Sequence, residues 1–209
     1  MTLTILGATG KTGVHLLAQA LDAGHQVRAL VRDPAKVART DEHMTLVQGN
    51  VRDAAAVARA IEGSDAVLSV LGPTRNAPDM DVSAGMAHVL AAMDAHEVRR
   101  LVVVAGAGVG AEGDRPGAFD RLIGLALRLA AKHVLADMQR TVELVRGSDR
   151  DWTVVRVPML TDGPATSTLR VGMVGQGTGP RLARADLAAF LLAQIDDRSH
   201  LRASPVVSN

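Results

Sequence analysis

The stretch ILGATGKTG at residues 5–13 sets glycines at 7, 10 and 13 and places Lys11 and Thr12 between the last two. Such residues at the start of a helix favour phosphate, because glycines let backbone N–H groups close on an anion and the helix dipole attracts it. Two kinds of phosphate site compete for the pattern. Gly10-Lys11-Thr12 has the ending of a nucleoside-triphosphate loop, but that loop needs another glycine five positions earlier. Ile5 stands there. A dinucleotide site reads better: Gly7 for the tight turn, Gly10 for backbone approach to a pyrophosphate, Gly13 for close packing of helix on strand. The spacing is GxxGxxG rather than GxGxxG, and plain turn and packing glycines are the bland alternative.

The end of the next strand-like segment selects between the two nicotinamide dinucleotides. NAD sites usually carry a carboxylate there for the ribose 2′-hydroxyl, whereas an arginine accommodates a 2′-phosphate. This chain has Arg32, with Lys36 close behind, so NADP(H) is favoured over NAD(H). A solvated surface arginine is the simpler alternative. Asp33 is expected to cap the short turn that follows.

These residues need a scaffold, and the patterning supplies one. Apolar runs at Thr2–Leu6, Gln26–Val31, Met44–Val47, Ala66–Leu71, Leu101–Ala105 and Trp152–Val157 alternate with helical stretches. The helices are expected at 11–23, ended by Gly24, at 53–61 with Asp53 as N-cap, and near 81–96, 116–131, 133–147 and 185–195. Continuous apolar strands alternating with helices predict an α/β, doubly wound, mainly parallel sheet, with ligands at the carboxyl ends of the strands. Its 209 residues read as a single domain, enough to bury roughly 70% of the unfolded chain's surface. Residues 160–209 are expected to contribute a small substrate-side cap.

Composition narrows the function classes. With 23 basic and 22 acidic residues, net +1, no charge excess calls for nucleic acid or an anionic membrane. The aromatic residues are Phe119, Phe190 and Trp152, too few for a base-stacking platform. The absence of cysteine removes thiol nucleophiles and thiolate metal sites. Seven histidines are scattered without metal-ligand spacing, so no metal is expected. Ser83 lacks the first glycine of a nucleophile elbow. No leader and no apolar run of the ~18 residues a membrane span needs is apparent, which makes a cytoplasmic protein the expectation.

With these residues in view, the chain resembles the atypical short-chain dehydrogenase/reductases with NAD(P)-binding Rossmann folds. Within them it is most similar to the biliverdin reductase B/flavin reductase group, and more distantly to NmrA-like NADP-binding proteins. The likeness rests on GATGKTG (7–13), LVRDPAK (30–36), QGNVRD (48–53), DAVLSVLGPTRN (65–76), MAHVLAAMDAHEV (86–98), DWTVVRVPML (151–160) and RADLAAFLL (184–192). The resemblance implies pyrophosphate contacts at Thr9, Gly10, Lys11 and Thr12, with Gly7 and Gly13 shaping the loop. It implies a 2′-phosphate at Arg32 and Lys36, and adenine beside Asn50 and Val51. Leu71, Gly72, Pro73, Arg75, Ala105 and Pro158 would line the ribose and nicotinamide side, with Gly106 and Met159 as candidates for an acceptor pocket.

The reactive centre departs from the family. Where relatives commonly carry serine or threonine, this chain has Ala105-Gly106-Ala107-Gly108. A histidine of the flavin reductases is replaced by Met159 after Pro158, and a second falls near Met138. With no tyrosine in the chain the Tyr-x-x-x-Lys acid–base pair cannot exist. An isolated ketone needs such an acid, worth about 10²–10⁴-fold. A flavin or quinone spreads the charge over its rings and can take its proton from water. The expectation is therefore an NADPH-dependent reductase of a small conjugated acceptor, with flavin as a dissociable substrate, acting by proximity. An NmrA-like redox sensor is the alternative. Arg156 is expected to pair with Glu143 or Asp162, and Leu135, Met138, Val142 and Val145 to face the core or a dimer partner. Monomer and homodimer both fit.

Overall fold

The apolar residues of β1 (Thr2–Leu6) put the strand at the centre of the sheet, where alternate side chains enter cores on opposite faces. Leu3 and Ile5 belong to one core and Leu6 to the other, all with no exposed surface. Burial of a side chain of this size contributes about 1.5–3 kcal/mol. β1 pairs in parallel with β2 (Gln26–Val31) on one side and β4 (Ala66–Ser69) on the other, with Ile5 opposite Ala29 and Leu68. β3 (Met44–Gln48) lies outside β2, and β5 (Arg100–Gly106) and β6 (Asp151–Val157) continue beyond β4. The computed structural model describes all 209 residues except Thr74 and Ser167, and all side chains in helices and strands except those of Phe119, Asp120, Ile123 and Leu127.

Helix α1 (Gly13–Asp22) covers one face, and α2 (Ala54–Ile61), α3 (Asp81–Ala95) and α5 (Lys132–Arg146) cover the other. α4 (Ala118–Ala130) leads into α5. α1 starts two residues later than expected because the chain from Gly7 to Thr12 is taken up by the turn after β1. Gly24, at φ +78°, ends the helix region as expected. The Asp53 carboxylate accepts the Ala55 and Ala56 N–H groups at 3.0 and 3.1 Å and caps α2.

The C-terminal fifty residues are distributed over the fold. β7 (Met159–Thr161) and β9 (Arg181–Ala183) form a small parallel pair. β8 (Arg170–Gly172) and β10 (Val206–Ser208) extend the main sheet, giving the order β3-β2-β1-β4-β5-β6-β10-β8. Only the β10–β8 pairing is antiparallel among these neighbours. α6 (Arg184–Ala193) packs on α1, and the Gln19 amide donates to the Ala185 carbonyl at 3.0 Å.

Arg156 is fully buried and structural, but its partner is Asp114. Glu143 and Asp162 pair elsewhere, with Arg140 and Arg184. The loop after β5 brings Asp114 to β6, and a loop without periodicity gives no sequence signal for such a pairing. Along α5, Val142 and Val145 are buried, and Leu135 and Met138 pack against the same core.

Candidate functional site

The strand order reverses direction beside β1, since β2 and β4 flank it while the chain passes through β3 between them. A crevice must open at the carboxyl ends of these strands. A cavity of about 520 Å³ lies there. Gly7, Thr9 and Gly10 from the loop after β1 form one wall, and Arg32 and Lys36 stand at the end of β2. Asn50 and Val51 follow β3, and Leu71, Gly72, Pro73 and Arg75 follow β4. Eleven positions singled out from sequence thus share one cavity. Arg75 is paired with Asp79 there, and is therefore not a free cation.

The glycine loop is built by two contacts. Gly7 takes φ +88° and its carbonyl accepts the Gly10 N–H at 2.9 Å. A Cβ on Gly13 would lie 2.0 Å from that same carbonyl oxygen, so only glycine lets α1 come this close. Thr12 precedes the helix without a side-chain capping bond. The Val14 N–H of the first turn is taken by the Gly10 carbonyl at 3.0 Å, but no side chain occupies the start of α1, unlike that of α2, which Asp53 caps.

At the end of β2, Arg32 and Lys36 are exposed and have no carboxylate within ion-pair distance among the described residues. The nearby Asp33 accepts the Ala35 N–H at 3.1 Å, capping the short 3₁₀ turn Pro34–Lys36. Two cations without a counter-ion on a cavity wall suit a doubly charged anion.

Val51 is fixed from behind. The His88 ring bonds its carbonyl at 3.0 Å, and a side chain on Gly85 would strike its Cβ at 2.5 Å. Asn50 uses its Oδ1 to accept the Arg52 N–H at 2.8 Å, which leaves its amide NH₂ for a ligand acceptor.

Sequence reasoning missed Arg52, Met80 and Asp137 in this wall. Arg52 crosses to the start of α3, donating to the Asp81 carboxylate at 2.8 Å and the Asp79 carbonyl at 3.0 Å. Met80, at the N-cap of α3 with φ 51°, provides no side-chain cap itself. Asp137 reaches in from α5 to supply one, 3% exposed, and its carboxylate accepts the Val82 and Ser83 N–H groups at 3.0 and 2.8 Å. The bonds of Arg52 and Asp137 to α3 join residues far apart in sequence, and no local pattern announces them.

Other sequence candidates do not line the cavity. Gly13 packs behind the loop, and Thr12 leads into α1. Lys11 extends outward, 3.9 Å from Asp162, which also pairs with Arg184 at 2.5 Å. Ala105 is buried at the end of β5, Gly106 and Pro158 are half-buried, and Met159 is 58% exposed. The Met138 sulfur lies 3.9 Å from where a Gly106 Cβ would stand. The carboxyl ends of β5 and β6 thus lie outside the lining of the cavity, and Ala105, Gly106, Pro158 and Met159 bring no charged group there.

A family model described as NAD(P)H-binding matches residues 7–198. The chain is 35% identical over 108 residues to YwnB, an uncharacterised protein of Bacillus subtilis, covering 52% of this chain and 48% of the relative. It spans between 25% and 48% of the length of four curated relatives that it matches. Among solved structures it is similar to a short-chain dehydrogenase/reductase of Veillonella parvula in complex with NADP, with TM-score 0.80 and 19% identity, covering 100% and 94% of the two chains. It is also similar to ChuY, an anaerobillin reductase of Escherichia coli O157:H7, with TM-score 0.78, 18% identity and coverage of 100% and 97%. At these identities the structural likeness speaks for the Rossmann fold.

Proposed function

The chain belongs to the NAD(P)H-binding family, and on that premise we propose that it is a reductase that uses NADPH to reduce a small conjugated acceptor such as free flavin or a quinone. The observation that carries the reading is the pair of uncompensated cations, Arg32 and Lys36, on the wall of the cavity at the end of β2. They would hold the 2′-phosphate, while the uncapped start of α1 and the Gly7–Gly10 turn receive the pyrophosphate. Val51, held by Gly85 and His88, and the free amide of Asn50 would flank the adenine. NADPH, when bound, supplies hydride.

Around the reacting atoms this chain's residues position and shield rather than transfer protons. Ala105, Gly106, Ala107 and Gly108 bring no acid, and there is no tyrosine in the chain. A ring that disperses charge and is protonated from water suits such surroundings, and stacking it in place supplies the rate advantage of proximity. The relation to an anaerobillin reductase is in keeping with a conjugated acceptor.

A second reading, an NADP(H)-binding sensor, draws on α4. Leu122, Leu125 and Leu129 are 64%, 53% and 77% exposed at helical spacing. The end of that helix is tied to the cavity loop, because the Asn76 amide donates to the Ala130 carbonyl at 3.0 Å. Following NADPH absorbance with FMN, riboflavin and a simple quinone, with NADH in parallel, separates the two. Turnover of a conjugated acceptor supports the reductase. Tight binding with no turnover of any acceptor would replace it with the sensor.

A further inference from the structure

A second cavity, of about 570 Å³, lies apart from the glycine loop, where α5, the loop after β5, the edge strand β8 and the segment before β10 meet. Its size is that of a small-molecule site. Trp152, the single tryptophan of the chain, contributes to the lining at 7% exposure, together with Met173. Apolar surface is therefore available for the body of a ligand.

Its charge is unbalanced. Arg146 and Arg202 both line it, against one carboxylate, Glu112. Neither arginine has a carboxylate within ion-pair distance among the described residues. Arg146 donates instead to the Ser204 hydroxyl at 2.9 Å and to the Gly110 carbonyl at 3.4 Å, and Arg202 to the Asp149 carbonyl at 2.9 Å. Partial burial, and then the nearby Arg156, lower the pKa of Arg146 against a smaller upward pull from Asp114. Arg202 is held at φ 52°, a backbone region costly for a residue other than glycine and found preferentially at ligand sites. His200 spends Nδ1 on Gln194 and Ser199, and its other ring nitrogen has no partner among the described residues.

Two guanidinium forks beside an apolar wall recognise a planar anion attached to a hydrophobic body. We propose that this cavity binds an organic carboxylate, with the carboxylate held by Arg146 and Arg202 and the body lying against Trp152 and Met173. This site is independent of the dinucleotide cavity, and no residue is shared between the two linings.

Because Trp152 is the only tryptophan, its emission reports on this cavity. Phenylbutyrate and its uncharged amide, phenylbutyramide, are titrated in turn. Phenylbutyrate is expected to give a saturable change and the amide none over the same range. Replacing both arginines (Arg146→Gln with Arg202→Gln) is expected to weaken phenylbutyrate by roughly tenfold or more, the worth of losing charge-assisted bonds. Glu112→Gln should strengthen it. Arg202→Gln alone, at an exposed position, gives a partial loss and serves if the double variant does not fold. Equal response to acid and amide, unchanged affinity in the arginine variants, or no saturable change overturns the proposal.

Discussion

The carboxylate of Asp137, on α5, accepts the backbone N–H of Ser83 at 2.8 Å and so caps a helix that begins far earlier in the chain, at Asp81. Two buried N–H groups beside the cavity at the carboxyl ends of β1, β2 and β4 depend on it. Asp137→Ala leaves both without a partner and should destabilise the protein by about 2–3 kcal/mol. Asp137→Asn, which keeps an acceptor, should lose less than half of that in urea denaturation.

The glycine loop gives a graded test. A Cβ on Gly13 meets the Gly7 carbonyl oxygen at 2.0 Å, whereas one on Gly10 meets it at 3.2 Å. Gly13→Ala must push α1 off the loop, and should cost more than about 2 kcal/mol and abolish NADPH binding. Gly10→Ala should fold with a loss of under about 1 kcal/mol yet bind NADPH more weakly, because backbone approach to the pyrophosphate is obstructed. Thermal melting and a binding titration separate the two effects.

Arg156 donates to both oxygens of Asp114, at 2.6 and 2.9 Å, and the same carboxylate accepts the Ala111 and Val174 N–H groups. Removing one partner of a buried pair costs about 3–5 kcal/mol, which is the loss expected for Arg156→Met. The pair also predicts a pH dependence. Burial pushes the Asp114 pKa up, but the bonds from Arg156, Ala111 and Val174 outweigh it, and the net shift is downward. A depressed folded pKa means stability that is present above the unfolded value, about 3.9, and lost as pH falls below it. Urea midpoints measured down through that range should fall more steeply for the wild type than for Asp114→Asn.

Ser69, at the carboxyl end of β4, buries its hydroxyl with no hydrogen-bond partner among the described residues. An unsatisfied buried hydroxyl is a penalty of about 1–3 kcal/mol. Ser69→Ala should therefore raise stability, by about 1 kcal/mol in chemical denaturation. A loss of stability would show that the hydroxyl has a partner in solution.

Local chemistry was readable in the sequence and long-range pairing was not. Asp53 as the cap of α2, Asp33 as the cap of the turn after β2, and Gly24 as the end of α1 each depend on neighbours within a few residues. Their spacing is therefore visible in one dimension. The first six strands were equally plain, because a sheet covered on both faces needs unbroken apolar runs. In contrast, β7 to β10, three residues each, carry no such run, and β8 and β10 join the main sheet instead of remaining within a cap. Arg156 shows the limit. That it was structural followed from its place in a core strand, but its partner lay in a loop with no periodicity, and Asp114 could not be chosen over Glu143 or Asp162. Asp137 and Arg52 were missed for the same reason, since each serves an element distant in sequence.

A dinucleotide held in the cavity between β1, β2 and β4 through its 2′-phosphate should be distinguished from one without that phosphate. Equilibrium titration of NADPH and NADH against the wild type and Arg32→Ala tests it most directly. NADPH is predicted to bind at least about tenfold more tightly than NADH, the worth of one charge-assisted contact. Arg32→Ala is predicted to remove most of that preference while leaving NADH unchanged. Equal affinity for the two dinucleotides in the wild type, or an equal loss for both in the variant, would contradict it.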